Sequence, residues 1–508
     1  MPPPDSARSS LLSEAVRVFN IVLPTALGNL CEYLPVCTGI AFVGHLAHDG
    51  SDSLDALALA RAYFNMVLMA PGFGYISAMR TLCPQAVGAG QPRACALHLQ
   101  RTLLLILCGF LPAIPLLLYA EQILVAVGQR PDFAALAQPY VLRLAPSYFG
   151  VIGMSAIQRV YQANGLNYAN LLITALVCSL APPMQWLLVH KLGWGYLGAA
   201  WAQSLYNALY FFLQVPYLVY RGHGYVFLPV HPRKLLARAG VWEHLKLAAP
   251  GFWMVVLEWW ICEVVVLLSG LLRSPEACIG AFTITANLQA MGCMAWIGVA
   301  VAASTIVGQH IGAGRVAEAR RAAVLSVSFG GVLAGVAALL LVALPGPLAH
   351  AFTTDGPISE LTRKLMPLLG AVVLVDAASN ALGGVCSGLG LQRVSAAGQL
   401  FGYYVLGMPV GISLAFYVAK GSESGVYFLW GGVGLSMLVA ALIQLLVLLR
   451  LDWGAAAKRA AERLQCDLPV QVIIIIVIYI YIYVCVYIYT GVCACVCVFD
   501  GAWNVLST

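Results

Sequence analysis

Apolar runs long enough to cross a bilayer follow one another from residue 16 to residue 450 with only short connections between them. Lipid offers no water to a peptide group, so a spanning segment must satisfy its own backbone as a helix, or as part of a closed barrel; roughly 17 to 25 apolar residues read as a helix. Twelve runs qualify, near 16–42, 57–79, 97–120, 136–156, 169–189, 195–220, 247–271, 278–307, 322–344, 365–388, 394–418 and 427–450. The expected fold is therefore all-α and polytopic, with twelve transmembrane helices. Composition agrees, since 61% hydrophobic and 9% charged residues leave too little polar surface to clothe a soluble domain. Pro24, Pro35, Pro250 and Pro409 are read as kinks inside spans, and the runs around Pro146 and Pro182–Pro183 are the least regular.

The Pro- and Ser-rich start lacks a secretory pattern, so the first span is expected to be retained. Counting Lys and Arg by side places 19 with the N-terminus and 8 opposite, which predicts both termini in the cytoplasm. The net charge of +6 is thus a matter of loop asymmetry and not a nucleic-acid signal. The expected organisation is a tail over 1–15, a six-helix lobe over 16–220, a basic linker over 221–246, a second lobe over 247–450 and a helix over 451–465. The linker reads as a solvated loop drawn to anionic headgroups as readily as a regulatory segment.

An internal repeat underlies that division. Gln85-Ala-Val-Gly-Ala-Gly90 returns as Gln309-His-Ile-Gly-Ala-Gly314, a shift of 224. Pro24 to Glu32 returns as Pro250 to Glu258, a shift of 226, and Asn164-Gly-Leu-Asn167 is echoed by Leu389-Gly-Leu-Gln392, a shift of 225. Six spans per copy is an even number, so both copies enter from one face. The repeats are parallel, related by an axis along the membrane normal, and enclose a cavity between two lobes.

Four acids fall within spans: Glu32, Glu258, Glu263 and Asp376. An ionised carboxyl there costs about 2.5 to 3.5 kcal/mol on insertion scales, so it persists where it faces protein or a water-filled chamber. Glu32 and Glu258 are repeat-equivalent. Asn380 lies four residues beyond Asp376, on the same helical face. Glu258 and Glu263 are about 140° apart around their helix and cannot both point squarely into one cavity. Glu263, near the end of its span, also reads as hydrogen-bonded glue between helices.

Ordered motifs carry a family resemblance over residues 16 to 463: Phe42-Val-Gly-His-Leu46, Thr81-Leu-Cys83 with Gln85 and Gly88-Ala-Gly90, Leu257-Glu-Trp-Trp260, Leu267-Leu-Ser-Gly-Leu-Leu272, Ala302-Ala-Ser-Thr305, Gly312-Ala-Gly314, Gly402-Tyr-Tyr404, Gly407-Met-Pro-Val-Gly411 and Asp452-Trp453. Together they resemble the eukaryotic branch of the multidrug and toxin extrusion (MATE) transporters. The resemblance implies twelve helices in two lobes set in a V, and efflux of organic cations, xenobiotics or secondary metabolites against protons. Carried over by position, the seventh-span acid falls on Glu258, a second on Glu263 and the tenth-span acid on Asp376, where many relatives have Glu. The polar position of the first span falls on Asn29, and Glu32 stands where an amide is more usual in plant-like members. That acid is either a further proton site or simply an exposed carboxyl.

Burial in apolar surroundings disfavours the charged form of a carboxyl, so such a group exchanges protons near neutral pH. A cation and a proton then compete for it, and rocking lobes turn competition into exchange. Trp259, Trp260, Phe282, Tyr403 and Tyr404 offer aromatic faces for a cation, at about 0.5 to 2 kcal/mol each, against ordinary helix packing. The expected partners are protons, a small organic solute and the bilayer, with the chain a monomer in the plasma or vacuolar membrane. No Walker motif, nucleophile elbow or CxxC pair is present, so no enzyme activity, cofactor, metal or disulfide framework is expected. His45, His48, His98, His310 and His350 read as satisfied histidines near span ends. A lipid-linked oligosaccharide flippase, the alternative, would need an Arg-lined cavity, and the central spans read as nearly free of Arg. Residues 466–508, with their Tyr/Ile and Cys/Val alternation, read as a translated dinucleotide repeat and an annotation artefact.

Overall fold

The computed structural model describes residues 4–44, 50–228, 232–353 and 355–465, so the 466–508 tail, His45 and His48 lie outside the described residues. Among the described residues the chain is helical throughout, with no strand. In chain order the principal helices are α1 (Pro4–Gly44), α2 (Ala56–Gly88), α3 (Ala94–Phe110), α4 (Pro131–Ala163), α5 (Asn167–Lys191) and α6 (Gly195–Leu218). The second set is α7 (Arg238–Ser269), α8 (Pro275–Gly312), α9 (Val316–Ala343), α10 (Gly356–Leu389), α11 (Gln392–Val418) and α12 (Gly425–Arg450), followed by the short α13 (Trp453–Gln465). All of α1 to α12 except α3 and α6 are long and apolar enough to cross a membrane by length and composition. α3 breaks at Leu111-Pro112 and continues as two short helices to Ala126, and it and α6 stand at the other two apolar runs.

The prolines do not break the spans: α1 runs on through Pro24 and Pro35, and α7 through Pro250. α4 runs unbroken through Pro139 and Pro146, and α5 through Pro182 and Pro183 before ending in a wide π turn at Leu187–Lys191. A proline removes one backbone bond, and a widened turn absorbs the local mismatch.

Each bundle has its own core. The first is built on Phe64, Tyr140, Tyr148 and Tyr161, the second on Phe282, Trp296, Tyr403 and Trp430. A third cluster joins the bundles, with Val18, Ile21 and Val22 of α1 against Val299 to Ile311 of α8, and Trp453, Ala456 and Ala460 of α13 closing its end.

Two pairs of crossing helices hold the bundles together, and they are the same contact made twice. Gly74 of α2 lies on the backbone of Phe252 in α7, while Gly298 of α8 lies on Val22 and Ala26 of α1. Gly74 and Gly298 are 224 residues apart, and Ala26 and Phe252 are 226 apart, so the repeat seen in the sequence is a twofold relation in space. With no hydrophobic drive between helices in lipid, close packing over small residues supplies the adhesion. The described parts of the linker are held against α3. Gln100 Nε2 donates to the Leu228 carbonyl at 2.7 Å, and Arg101 donates to the carbonyls of Lys234 at 2.8 Å and Leu235 at 3.2 Å.

Candidate functional site

Asp376 sits in the middle of α10 and is buried. Its Oδ2 accepts from Gln289 Nε2 of α8 at 2.7 Å, and its Oδ1 accepts from Asn380 Nδ2 at 2.9 Å. The Asn380 amide also donates to the Asp376 carbonyl at 3.0 Å, as the four-residue spacing allows. Glu258 of α7 is half-buried and close enough to Asp376 for the two charges to act on each other. Gln289, which shares its helix with Thr285 and Asn287, was not singled out in the sequence.

The first bundle presents a different arrangement. Glu32 of α1 is half-buried, and its Oε1 accepts from Gln158 Nε2 of α4 at 2.9 Å. The same amide donates to the Tyr210 hydroxyl of α6 at 3.0 Å, and that hydroxyl bonds Thr174 of α5. Glu32 is therefore an integrated group and not a stray exposed acid. A cavity of about 170 Å³ opens beside it, lined by Glu32, Asn65, Phe73, Tyr206, Tyr210 and Trp259. Trp259 comes from α7, so the chamber is walled by both bundles, and its ring meets Phe73 edge-on at 6.0 Å.

Other predicted residues sort by position. Asn29 donates to the Met294 carbonyl of α8 at 3.3 Å, which makes it a strut between bundles. Trp260 is exposed, and Tyr404 donates from its hydroxyl to the Leu257 carbonyl at 3.1 Å. Tyr403 and Phe282 are buried in the second core, Phe282 against Trp430, which is the helix packing weighed against a cation-facing role. The Glu263 side chain lies outside the described residues. His310 bonds Glu14 Oε1 through Nε2 at 3.0 Å while its Nδ1 is buried without a partner, and His98 is buried with neither ring nitrogen hydrogen-bonded, against the expectation of satisfied rings. Arg80 and Arg159, counted with the loops by charge asymmetry, stand within α2 and α4 and are half-buried.

One end of the cleft is latched. Gln85 Nε2 of α2 donates to the Gly388 carbonyl of α10 at 2.9 Å, and Gln309 Nε2 of α8 donates to the Ala163 carbonyl of α4 at 2.8 Å. Both donors and both acceptors are repeat-equivalent. Between them Gly88 lies on the backbone of Gln309 and Gly312 on that of Gln85, with no room for a methyl at either. Thr81 adds a bond to the Ser387 carbonyl, and Arg17 of α1 donates to Gln309 Oε1. In the sequence these motifs marked the repeat; in space they close the molecule.

Membrane-length helices in two related bundles, around an internal chamber lined by Glu32 and by the amides of Asn65, Gln203 and Asn207, have the architecture of a membrane transporter of solutes. The MatE family model matches the chain twice, over residues 24–187 and 250–412. The chain is 33% identical to multidrug and toxin extrusion protein 1 of Rattus norvegicus over 462 residues, covering 88% of this chain and 77% of the rat protein. It is 30% identical to protein DETOXIFICATION 52 of Arabidopsis thaliana over 466 residues, 92% of this chain and 90% of that one. The fold superposes on the crystal structure of the eukaryotic MATE transporter AtDTX14 with a TM-score of 0.82 at 27% identity, covering 89% of this chain and 99% of the other. The chain belongs to the MATE family of multidrug and toxin extrusion transporters.

Proposed function

We propose that the protein is a proton-coupled antiporter that expels organic cations or related xenobiotics. The observation that carries this reading is the Asp376–Gln289–Asn380 cluster facing Glu258 inside the second bundle. Amide donors hold an ionised carboxylate without neutralising it, so the site keeps one negative charge to trade. Protonation removes that charge and releases the cation; deprotonation restores it. Glu32, with its own amide and hydroxyl, offers a second exchange site in the first bundle.

Lysine and arginine counts put the latched end, where α2, α4, α8 and α10 finish, on the cytoplasmic side. The present state is then closed to the cytoplasm. The cavity beside Glu32, about 170 Å³, falls below the roughly 300 to 1,000 Å³ of drug-sized sites, so a drug-sized solute fits there only once it widens. Acid on the far side loads protons, the latch opens, protons leave inward and the solute takes their place. The plasma membrane and an acidic vacuole both supply that gradient.

Proteoliposomes loaded with a cationic dye test the reading. An imposed pH gradient, acid on the side to which dye is expelled, is expected to drive export; reversing it reverses the flow, and Glu258→Gln abolishes both. Dye movement that ignores the pH gradient, or follows a sodium gradient in its place, overturns the proposal.

A further inference from the structure

The first turns of α7, ahead of its apolar stretch, have two unlike faces. On the inner one Gly240 lies on the Arg101 guanidinium, His244 Nε2 shares a hydrogen bond with the Thr102 hydroxyl at 3.1 Å, Ala248 is buried with Ala78 and Leu82, and Gly251 lies on Ser77. Arg238, Trp242, Lys246, Ala249 and Trp253, spaced by three or four residues, form a single stripe on the other side. Trp242 is 58% exposed and Trp253 55%. The bundles are latched together at this end, so an exposed stripe looks out of the molecule and not into the chamber.

Helix rise gives the depth of each member. Lys246 lies twelve residues before Glu258, about 18 Å along the axis, Trp242 about 24 Å and Trp253 about 8 Å. Exchange sites of such proteins sit near the bilayer midplane, and the hydrocarbon extends about 15 Å to either side. Lys246 therefore falls at the lipid phosphates, Trp242 at the outer edge of the headgroups and Trp253 among the acyl chains, with Arg238 one turn further out. Lys246 Nζ lies 2.6 Å from Glu243 Oε1 and 5.8 Å from the centre of the Trp242 ring. So exposed a pair is weak, and it uses one of three ammonium hydrogens, so a phosphate competes for the same nitrogen. Ala249 leaves a gap on the stripe between the two indole rings.

The geometry points to a binding site for an anionic phospholipid on this stripe, with the phosphate on Lys246, the headgroup against Trp242 and an acyl chain passing over Ala249 to Trp253. Charge chooses the occupant. Anionic lipids are concentrated in the cytoplasmic leaflet, where Lys246 and Arg238 attract them, whereas a choline headgroup brings its own cation to the lysine. The leaflet rests on the orientation proposed above; binding measured in detergent does not depend on it, so the two fail separately.

Native mass spectrometry of the purified full-length protein in detergent, titrated with phosphatidylglycerol or phosphatidylcholine, reads the affinity for each. Phosphatidylglycerol is expected to bind at least about fivefold more tightly. Lys246→Gln is expected to lower that preference by about fivefold and Arg238→Gln, further from the phosphates, by about twofold. Glu243→Gln frees Lys246 and is expected to raise it. Trp253→Ala is expected to weaken both lipids alike. A gain in one variant beside a loss in its neighbour excludes misfolding as the cause. Equal binding of the two lipids by the unaltered protein, or a preference that survives Lys246→Gln, overturns the site. Displacement of phosphatidylglycerol by an equal concentration of glycerol phosphate makes the ligand a free phosphate and overturns the lipid assignment.

Discussion

The two bundles share a backbone plan but not a chemistry. Glu32 and Glu258 occupy equivalent places, yet the position that carries Asp376 in the second bundle is Val151 in the first, and the place of Gln289 is taken by Asn65. The first bundle answers its single carboxyl with Gln158, Tyr210 and Thr174. The second sets Asp376 against Gln289 and Asn380, with Glu258 in electrostatic reach of that carboxyl. By contrast Gly74 and Gly298, Gly88 and Gly312, and Gln85 and Gln309 are kept as pairs. Where the halves touch, each change disturbs both, so the axis holds its residues; away from it, side chains are free to specialise.

The largest effect that bears on this contrast is expected from the carboxyls themselves. Asp376→Asn preserves shape but keeps only one of the two accepting oxygens and cannot hold a negative charge, and should lower pH-driven dye export by about 100-fold. Glu32→Gln should lower it by only about threefold, as the loss of a weaker, partly screened charge. Initial rates in proteoliposomes measure both, and equal losses would erase the functional difference between the bundles.

At the axis the halves should behave alike. Gly88→Val and Gly312→Val each force a side chain into facing backbone, at a cost of about 1 to 3 kcal/mol. The expected drop in thermal midpoint is the same for both in detergent-solubilised protein. A drop in only one would show that the reciprocal contact is not evenly borne.

A smaller asymmetry is expected in the latch. Gln85→Ala and Gln309→Ala each remove one buried bond worth about 1 kcal/mol, but Gln309 also receives Arg17 and should cost more. Cys386, buried beside the latch carbonyls, reports opening. In a background without other cysteines, its labelling by a membrane-impermeant maleimide should rise in both variants and further in Gln309→Ala.

Much of this was legible in the residues. Runs of apolar side chains gave the twelve helical stretches, because a bilayer leaves few other ways to satisfy a backbone. The repeat gave the twofold relation, and rarity of charge exposed Glu32, Glu258 and Asp376, with Asn380 following from helical spacing. Gln158, Gln289, Tyr210 and Thr174 were not legible, because neutral amides and hydroxyls cost little in a span and carry no pattern; only the fold shows which carboxyl they meet. Arg80 and Arg159 were placed with the loops because a count by side has no depth. Tyr403 and Phe282 were offered to the cleft, since an aromatic ring looks the same in sequence whether it faces a solute or a neighbour.

The reciprocal contacts at Gln85–Gly388 and Gln309–Ala163 carry a consequence for ancestry. A surface that gives and receives the same bond across a twofold axis is self-complementary, the property that lets identical subunits pair. Before the two copies were joined, a single six-helix unit with this edge would already have made a symmetric dimer. Severing the chain within residues 221–246 should therefore leave two pieces that find each other again.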